Sequence, residues 1–311
     1  MIRKSKLTEC RLITEEEARD ISLVLKNLNI RETREIYRFV DTQLDKIYNV
    51  YLIKTQDEIS IIKQLEERRF DKAKYDTFFA GKGFAVPEIF ENVSVDGKDY
   101  VLMQLVEGED ARNCTPEDAE KVGQELGKIQ SFYLTDGGHT ETAEYYWNRY
   151  LEKYYQKLKQ LFDDIDEVWE KAKQRFYEAP QTLVHDDLLP INVLIGEDRP
   201  WIIDWEIAGI YPYFLDLARF AYVFCSIDNQ FFISDEAAKA FINAYYEEMK
   251  KNSFFYIDKQ QFFYDVAISA FYQYIMFQDY DKSPEELENT VDFKYLEEII
   301  HVLRKGENEY E

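Results

Sequence analysis

Three side chains with oxygen ligands lie close together in one short, otherwise hydrophobic part of the sequence. Asp187 and Asn192 are on either side of a proline-containing loop, and Asp204 follows the hydrophobic stretch Trp201–Ile203. The polar turn Gly196–Pro200 between two short strands predicts a hairpin, which brings Asp204 back towards Asn192. Carboxylate and amide oxygens are hard ligands that suit Mg²⁺, so the pattern predicts a magnesium site.

A purely structural interpretation of these residues also exists. Asp and Asn are common in turns, so the three side chains could simply bound the hairpin. Their order, spacing and hydrophobic flanks all agree with one another, which a chance turn rarely provides, and this favours the functional interpretation. His185 is one of only three histidines, and we predict a structural role for it.

The pattern H-x-D-x-x-x-x-N at 185–192, followed by a hydrophobic strand and I-D-W-E at 203–206, resembles the catalytic and metal loops of the aminoglycoside phosphotransferase and choline kinase family. It is more distantly similar to the H-R-D and D-F-G loops of protein kinases. The resemblance implies that Asp187 orients the substrate hydroxyl and accepts its proton. It also implies that Asn192 and Asp204 hold Mg²⁺ on the phosphates of the nucleotide.

The same resemblance gives two further residues a supporting role. His185 is implied to support the two loops rather than to act in acid–base chemistry. Asp216, in Asp216-Leu217-Ala218 at the start of a helix, is implied to cap and support the catalytic loop.

An ATP site in the N-terminal part of the chain is implied as well. Lys63 on the third strand would contact the α and β phosphates, and strand alternation puts Ile61 on the same face, where it could cover the adenine. Met103 would lie at the back of the adenine pocket, with the Gln104 carbonyl and the Val106 N–H at the adenine edge. An ordinary lysine at a strand edge is the alternative interpretation of Lys63.

Lys63 is expected to have an acidic partner on the helix that follows its strand. Asp71 is the predicted partner, because Tyr75 and Phe78 follow it at helical spacing. Glu67 and Asp76 remain alternatives.

The elements that must position these residues predict an α+β, two-lobed, protein-kinase-like fold. The first half predicts a helix beginning at Thr14 and a five-stranded antiparallel sheet with one helix inserted, whereas the second half is mainly helical. The Asp96-Gly97 pair predicts a hairpin turn. The predicted limits are a nucleotide-binding lobe over 1–103, a hinge over 104–108, and a helical lobe over 109–311 that carries the catalytic and metal loops at 183–206.

Composition excludes several other classes of protein. The net charge is −23, which disfavours binding to nucleic acid or to anionic membranes. The three cysteines have no metal-ligand or disulfide spacing, and no apolar run is long enough to span a membrane. A cytoplasmic protein is therefore expected. The acidity would suit a cationic partner, although solubility alone explains it more simply.

Aromatic residues in the predicted helices over 143–177 leave the acceptor open. They could surround a cation through cation–π contacts, or they could pack as helix core, which is the more common role of aromatics at helical spacing. An acceptor such as choline, ethanolamine or an amino sugar would fit the first interpretation.

Three functions follow, in decreasing order of support. The first is an ATP- and Mg²⁺-dependent phosphotransferase acting on a hydroxyl of a small molecule. The second is a catalytically silent, kinase-like binding or coat-associated protein, supported by the absence of glycine from the loop at 40–46. The third, a protein kinase, is disfavoured because Asp204 and Asp216 are only twelve residues apart and no A-P-E motif follows.

Overall fold

A computed structural model describes residues 8–42, 45–66, 72–135, 141–163, 165–221, 233–277, 286 and 291–305. The chain divides into two compact units. The first comprises Met1–Ala111 and Asn192–Ile207, and the second comprises Arg112–Ile191 and Ala208–Glu311. Among the described residues, no helix is long and apolar enough to cross a membrane.

The first unit is built on an antiparallel sheet. Its strands in chain order are β1 (Thr8–Leu12), β2 (Glu35–Asp41), β3 (Lys46–Lys54), β4 (Ile59–Leu65), β5 (Ile89–Val95) and β6 (Lys98–Gln104). The six strands are arranged in the order β1-β2-β3-β4-β6-β5. The predicted count of five was therefore wrong, because the short β1 adds a strand along β2.

Helix α1 (Glu15–Asn27) covers one face of this sheet. Thr14 caps it as predicted, since its hydroxyl accepts from the Glu17 amide at 3.3 Å while the Glu17 carboxylate accepts from the Thr14 amide at 2.9 Å. Its apolar residues pack with Ile62 of β4. Because side chains alternate along a strand, Ile61 and Lys63 point to the other face, where the nucleotide was expected.

Helix α2 (Lys72–Phe79) and a second set of short strands complete the first unit. These strands are β7 (Glu109–Asp110), β9 (Val193–Ile195) and β10 (Pro200–Ile202), arranged in the order β10-β9-β7. The prediction placed the 192–207 segment in the C-terminal lobe. It joins the first unit because β9 pairs with β7 and the Ile202 amide donates to the Ala85 carbonyl at 2.9 Å.

The second unit is mainly helical. Its helices are α3 (Pro116–Phe132), α4 (Glu141–Tyr146), α5 (Glu152–Leu161), α6 (Ile165–Glu178), α7 (Leu215–Ala221), α8 (Asp235–Met249), α9 (Lys259–Phe277) and α10 (Val291–Lys305). The strands β8 (Gln181–Val184) and β11 (Gly209–Pro212) form an antiparallel pair between them. The loop at 185–192, which the sequence predicts to carry the catalytic carboxylate, begins directly after β8.

Close helix packing in this unit depends on glycine. A Cβ at Gly123 of α3 would lie 2.3 Å from the Phe241 carbonyl oxygen of α8, which no side chain can tolerate.

The helical stretch predicted over 143–177 is broken into three helices. A π-helical turn at Trp147–Leu151 joins α4 to α5, and α6 begins separately at Ile165. The break lets Trp147 and Trp169 pack edge to face with ring centroids 5.0 Å apart.

Candidate active site

The hairpin formed by β9 and β10 positions the predicted metal ligands. Val193 pairs with Ile202, and the Ile203 amide donates to the Asn192 carbonyl at 2.9 Å. Asn192 therefore lies across from the residue that precedes Asp204, as the sequence pattern predicted. Asp204 itself has a φ of 68°, a left-handed conformation that ends the strand and turns the chain sharply.

Lys63 lies in a cluster of acidic side chains within the first unit. Its Nζ forms a short ion pair with Asp204 and a second ion pair with Glu206 Oε1 at 3.2 Å. Glu206 Oε2 accepts from the Glu66 amide at 3.1 Å, which fixes the carboxylate. Burial acts to lower the pKa of Lys63, but the two carboxylates outweigh it, so the pKa is raised and the side chain stays charged.

Burial raises the pKa of the Glu206 carboxyl, and the Lys63 ammonium opposes that effect. From the sequence no partner was assigned to Glu206, whereas in the structure it pairs with a lysine 143 residues away. The I-D-W-E motif carried the signal, because Glu206 lies two residues beyond the predicted metal ligand.

The predicted acidic partner of Lys63 on the following helix remains a prediction. Asp71 and its alternative Glu67 lie outside the described residues. The other alternative, Asp76, forms an ion pair with Lys72 at 2.5 Å. The carboxylates observed at Lys63 thus come from the hairpin, where sequence reasoning did not look for them.

Trp205 packs the hairpin of β9 and β10 against α2. Its ring is 2% exposed and packs against Phe79 of α2 with centroids 4.8 Å apart. Its indole nitrogen donates to the Ile202 carbonyl at 3.0 Å. The tryptophan in I-D-W-E is therefore a packing residue that anchors the loop between Asp204 and Glu206.

The residues predicted for the adenine site lie on neighbouring strands. Ile61 of β4 and Met103 of β6 are paired directly across the sheet. The Gln104 amide donates to the Glu88 carbonyl at 2.8 Å, and Val106 follows in the half-buried segment that leads to β7. A Cβ at Gly108 would lie 2.8 Å from the Ile195 carbonyl oxygen, so this glycine allows the segment to approach β9. Contact of Gln104 and Val106 with adenine stays a prediction.

The donor chemistry of this unit fits Mg²⁺. Asn192, Asp204 and Glu206 supply only oxygen atoms, which are the ligands that Mg²⁺ takes in proteins. In the part of the chain that the structure describes, no group of three His, Cys, Asp or Glu side chains is placed to hold a metal. A magnesium site of this kind needs no such group, since one or two carboxylates share the ion with substrate phosphates and water.

In the second unit, Asp216 binds the backbone of the predicted catalytic loop at 185–192. One carboxylate oxygen accepts from the His185 amide at 2.8 Å and the other from the Asp186 amide at 2.9 Å. Gln130 of α3 donates to the first oxygen at 2.9 Å. His185 contributes in turn, because its Nδ1 accepts from the Asp187 amide at 3.2 Å. The two residues implied to be supports are thus brought together under Asp187.

Asp186 occupies an unusual backbone conformation, with a φ of 66°. This left-handed conformation favours glycine, and side chains other than glycine rarely adopt it. The Asp186 carboxylate compensates by accepting from the Tyr146 hydroxyl at 2.8 Å. Tyr146 is buried, and burial raises the pKa of its hydroxyl well above the ordinary value, so it remains a donor.

Asp187 has a partner that sequence reasoning missed. Arg219 of α7 donates from Nη2 to Asp187 Oδ1 at 2.5 Å. A possible signal was the arginine that directly follows Asp216-Leu217-Ala218, because residues three apart share a helix face.

Comparison with known proteins agrees with this geometry. The family model described as "Phosphotransferase enzyme family" matches residues 55–251, which is more than half of the 311 residues. The chain belongs to this family. The matched range includes Lys63 and Asp204 in the first unit, and Asp187 and Arg219 in the second. The family predicted from the sequence is therefore confirmed. No curated protein matches the chain significantly.

Solved structures with a similar fold include kinases of small molecules. The choline kinase LicA from Streptococcus pneumoniae is 16% identical, with a TM-score of 0.52 over 96% of this chain and 100% of that chain. A choline/ethanolamine kinase family protein from Mesorhizobium loti is 15% identical, with a TM-score of 0.51 over 83% and 90%. The aminoglycoside phosphotransferase APH(4)-Ia, in complex with ADP and hygromycin B, is 10% identical, with a TM-score of 0.53 over 93% and 99%. These likenesses confirm the predicted kinase-like fold.

The aromatic residues of the helices over 143–177 divide into two sets in this family member. Tyr146, Trp147 and Trp169 are at most 3% exposed and form packing core, whereas Tyr145 is 57% exposed. The core interpretation therefore holds for the three buried rings.

Asp216 makes the free energy of unfolding depend on pH. Burial raises the pKa of this carboxyl from 3.8 to about 7. The folded state then binds more protons than the unfolded state between these values, so stability falls as the pH rises through this window. We expect the free energy of unfolding of the wild type, relative to that of Asp216→Asn, to fall by up to about 4 kcal/mol from pH 4 to pH 7, at about 1.4 kcal/mol per pKa unit. Urea unfolding of both proteins across this range measures it, and a constant difference would show that Asp216 is ionised throughout.

Proposed function

We propose that the protein is an ATP- and Mg²⁺-dependent phosphotransferase that moves the γ-phosphoryl group of ATP to a hydroxyl of a small molecule. The observation that carries the proposal is the ion-pair cluster of Lys63 with Asp204 and Glu206. A lysine beside a carboxylate that can hold Mg²⁺ suits a nucleoside triphosphate, because the ammonium and the metal ion both neutralise charge on its phosphates. Asp187, whose amide donates to His185 and whose carboxylate binds Arg219, would bind the acceptor hydroxyl.

Each residue has a distinct part in the proposed reaction. Lys63 binds the α and β phosphates, and Ile61 and Met103 enclose the adenine. Asn192 and Asp204 would hold Mg²⁺, which neutralises phosphate charge when bound. Asp71, which lies outside the described residues, is retained as a proposed partner of Lys63.

The transfer forms one bond and breaks another. The acceptor hydroxyl oxygen bonds to the γ-phosphorus while the bond from this phosphorus to the bridging oxygen of ADP breaks. Asp187 orients the hydroxyl and takes its proton, and ADP leaves with the electron pair. Asp187 need not be a strong base, since such transition states are loose and the proton moves late.

A small acceptor is favoured over a protein. The similar structures include choline and aminoglycoside kinases, and the segment from Asp204 to Asp216 leaves no room for a protein-kinase activation segment. The net charge of −23 favours a cationic acceptor such as an amino alcohol or amino sugar.

A silent, kinase-like binding protein is the second candidate. It is favoured by the glycine-free loop between β2 and β3, where close backbone approach to phosphate is harder. Asp41, at the end of β2, is 1% exposed and adds an acid at the entrance to this loop.

Calorimetric titration with ATP, with and without Mg²⁺, tests the proposal. We expect binding that strengthens when Mg²⁺ is present. A screen of hydroxylated amines and aminoglycosides for transfer of labelled γ-phosphate then follows. Absence of binding at millimolar nucleotide would refute the proposal. Tight MgATP binding with no transfer and no hydrolysis would favour the silent protein.

A further inference from the structure

Arg219 is placed where it can control the proposed catalytic carboxylate. Its side chain is only 15% exposed, and its guanidinium joins two partners: Asp187 at 2.5 Å through Nη2, and Gln273 of α9 at 3.0 Å through Nη1. The guanidinium thus lies between the catalytic loop and the long helix α9. Such a planar group held on two sides has little freedom to turn.

Helix α7 serves the catalytic loop from two positions on one face. Asp216 and Arg219 are one turn apart, so their side chains leave the helix in nearly the same direction. Asp216 accepts the loop amides at His185 and Asp186, while Arg219 binds the side chain at Asp187. A single turn of helix therefore fixes both the backbone of the loop and the carboxylate that it carries.

The charges around Arg219 also favour its ion pair with Asp187. The titratable groups that act on it include the carboxylates of Asp187, Asp186 and Asp216 and the hydroxyl of Tyr146. A largely buried cation is costly unless an anion pairs with it, and Asp187 provides the pair.

We propose that Arg219 is a positioning residue for phosphoryl transfer, resting on the function proposed above. Its guanidinium fixes the orientation in which Asp187 meets the acceptor hydroxyl. Arg219 acts through Asp187 and has no direct role in binding the nucleotide.

The test measures steady-state hydrolysis of MgATP, in which water replaces the unidentified acceptor. We expect Arg219→Gln to lower kcat by about 10–100-fold with little change in the KM for MgATP, because orientation of the attacking group is lost and nucleotide contacts remain. Arg219→Lys, which keeps the charge but not the planar fork, should recover part of the rate. Added methylguanidinium should partly restore Arg219→Ala.

A double-mutant cycle with Asp187→Ala, which removes the contact with Arg219, separates positioning from a structural role. If Arg219 acts through Asp187, the double variant is no slower than Asp187→Ala alone. Arg175 gives a matched control, since it is another largely buried arginine of the same unit and pairs with Asp265 at 2.6 Å. Arg175→Gln should lower the melting temperature but leave kcat per folded molecule unchanged.

The outcomes distinguish this inference from the function on which it rests. Unchanged kcat in Arg219→Gln, or a further loss added to that of Asp187→Ala, would overturn the positioning role while the phosphotransferase assignment stands. Equal losses of kcat in Arg219→Gln and Arg175→Gln would also overturn it. A wild type that neither binds nor hydrolyses MgATP would overturn the proposed function itself.

Discussion

Asp187→Asn is expected to lower phosphoryl transfer by about 10²–10⁴-fold, the usual contribution of a positioned acid–base group. The amide cannot accept the hydroxyl proton, but its oxygen can still accept from Arg219, which binds Asp187 Oδ1 in the wild type. The loop should therefore keep its conformation. The rate is measured with labelled MgATP, and calorimetry of the same sample should show nucleotide affinity within about threefold of the wild type.

The neighbouring carboxylate supplies the matched control for this variant. Asp186→Asn removes the same charge one residue earlier, and its amide oxygen can still accept from Tyr146. We expect a much smaller loss of rate than at Asp187. Full transfer by Asp187→Asn would remove Asp187 from the mechanism. A variant that no longer folds would make Asp187 a structural residue instead.

The local parts of this fold could be predicted from the sequence because their signals are local. The hairpin between β5 and β6 depends on Asp96-Gly97, whose φ values of 50° and 76° are those that a tight two-residue turn requires. The cap of α1 depends on Thr14 and Glu17, which lie within one helical turn. Likewise, the hairpin that carries Asn192 and Asp204 is encoded within a dozen residues.

The elements that sequence reasoning missed depend on tertiary structure. Strand β1 is only five residues long and is defined by its pairing with β2. The π-helical turn at Trp147–Leu151 contains no glycine or proline, and its Trp147 packs against Trp169 of a separate helix. Neither feature has a turn or cap of its own that could have indicated it.

The candidate site residues were identified individually from local motifs in the sequence, whereas their ion pairs join distant parts of the chain. Lys63 and Asp187 were both identified, yet the partners observed for them, Glu206 and Arg219, were not assigned to them. Lysine and arginine give no local pattern that specifies which carboxylate they will meet. Such pairs follow only from the three-dimensional arrangement, here of β4 with the hairpin and of α7 with the catalytic loop.

Asp204→Asn is expected to remove the dependence of ATP binding on Mg²⁺. Asn cannot supply the charged oxygen that a dication needs, so we expect the affinity for MgATP to fall by at least about 100-fold, more than loss of a supporting residue around a metal usually costs. Binding of ATP without metal should change far less, because Lys63 keeps its ion pair with Glu206 at 3.2 Å. Calorimetric titrations with ATP alone and with MgATP measure the two affinities separately.

The exposed turn of the same hairpin gives the control for this variant. Asp198→Asn removes an identical charge from the turn between β9 and β10, and MgATP affinity should stay at the wild-type value. Equal losses in both variants would assign the effect to general charge. An Asp204→Asn protein that binds MgATP as the wild type does would exclude Asp204 as the metal ligand. In that case Glu206 becomes the carboxylate to substitute next, because it is the second acid at Lys63 and is fixed by the Glu66 amide.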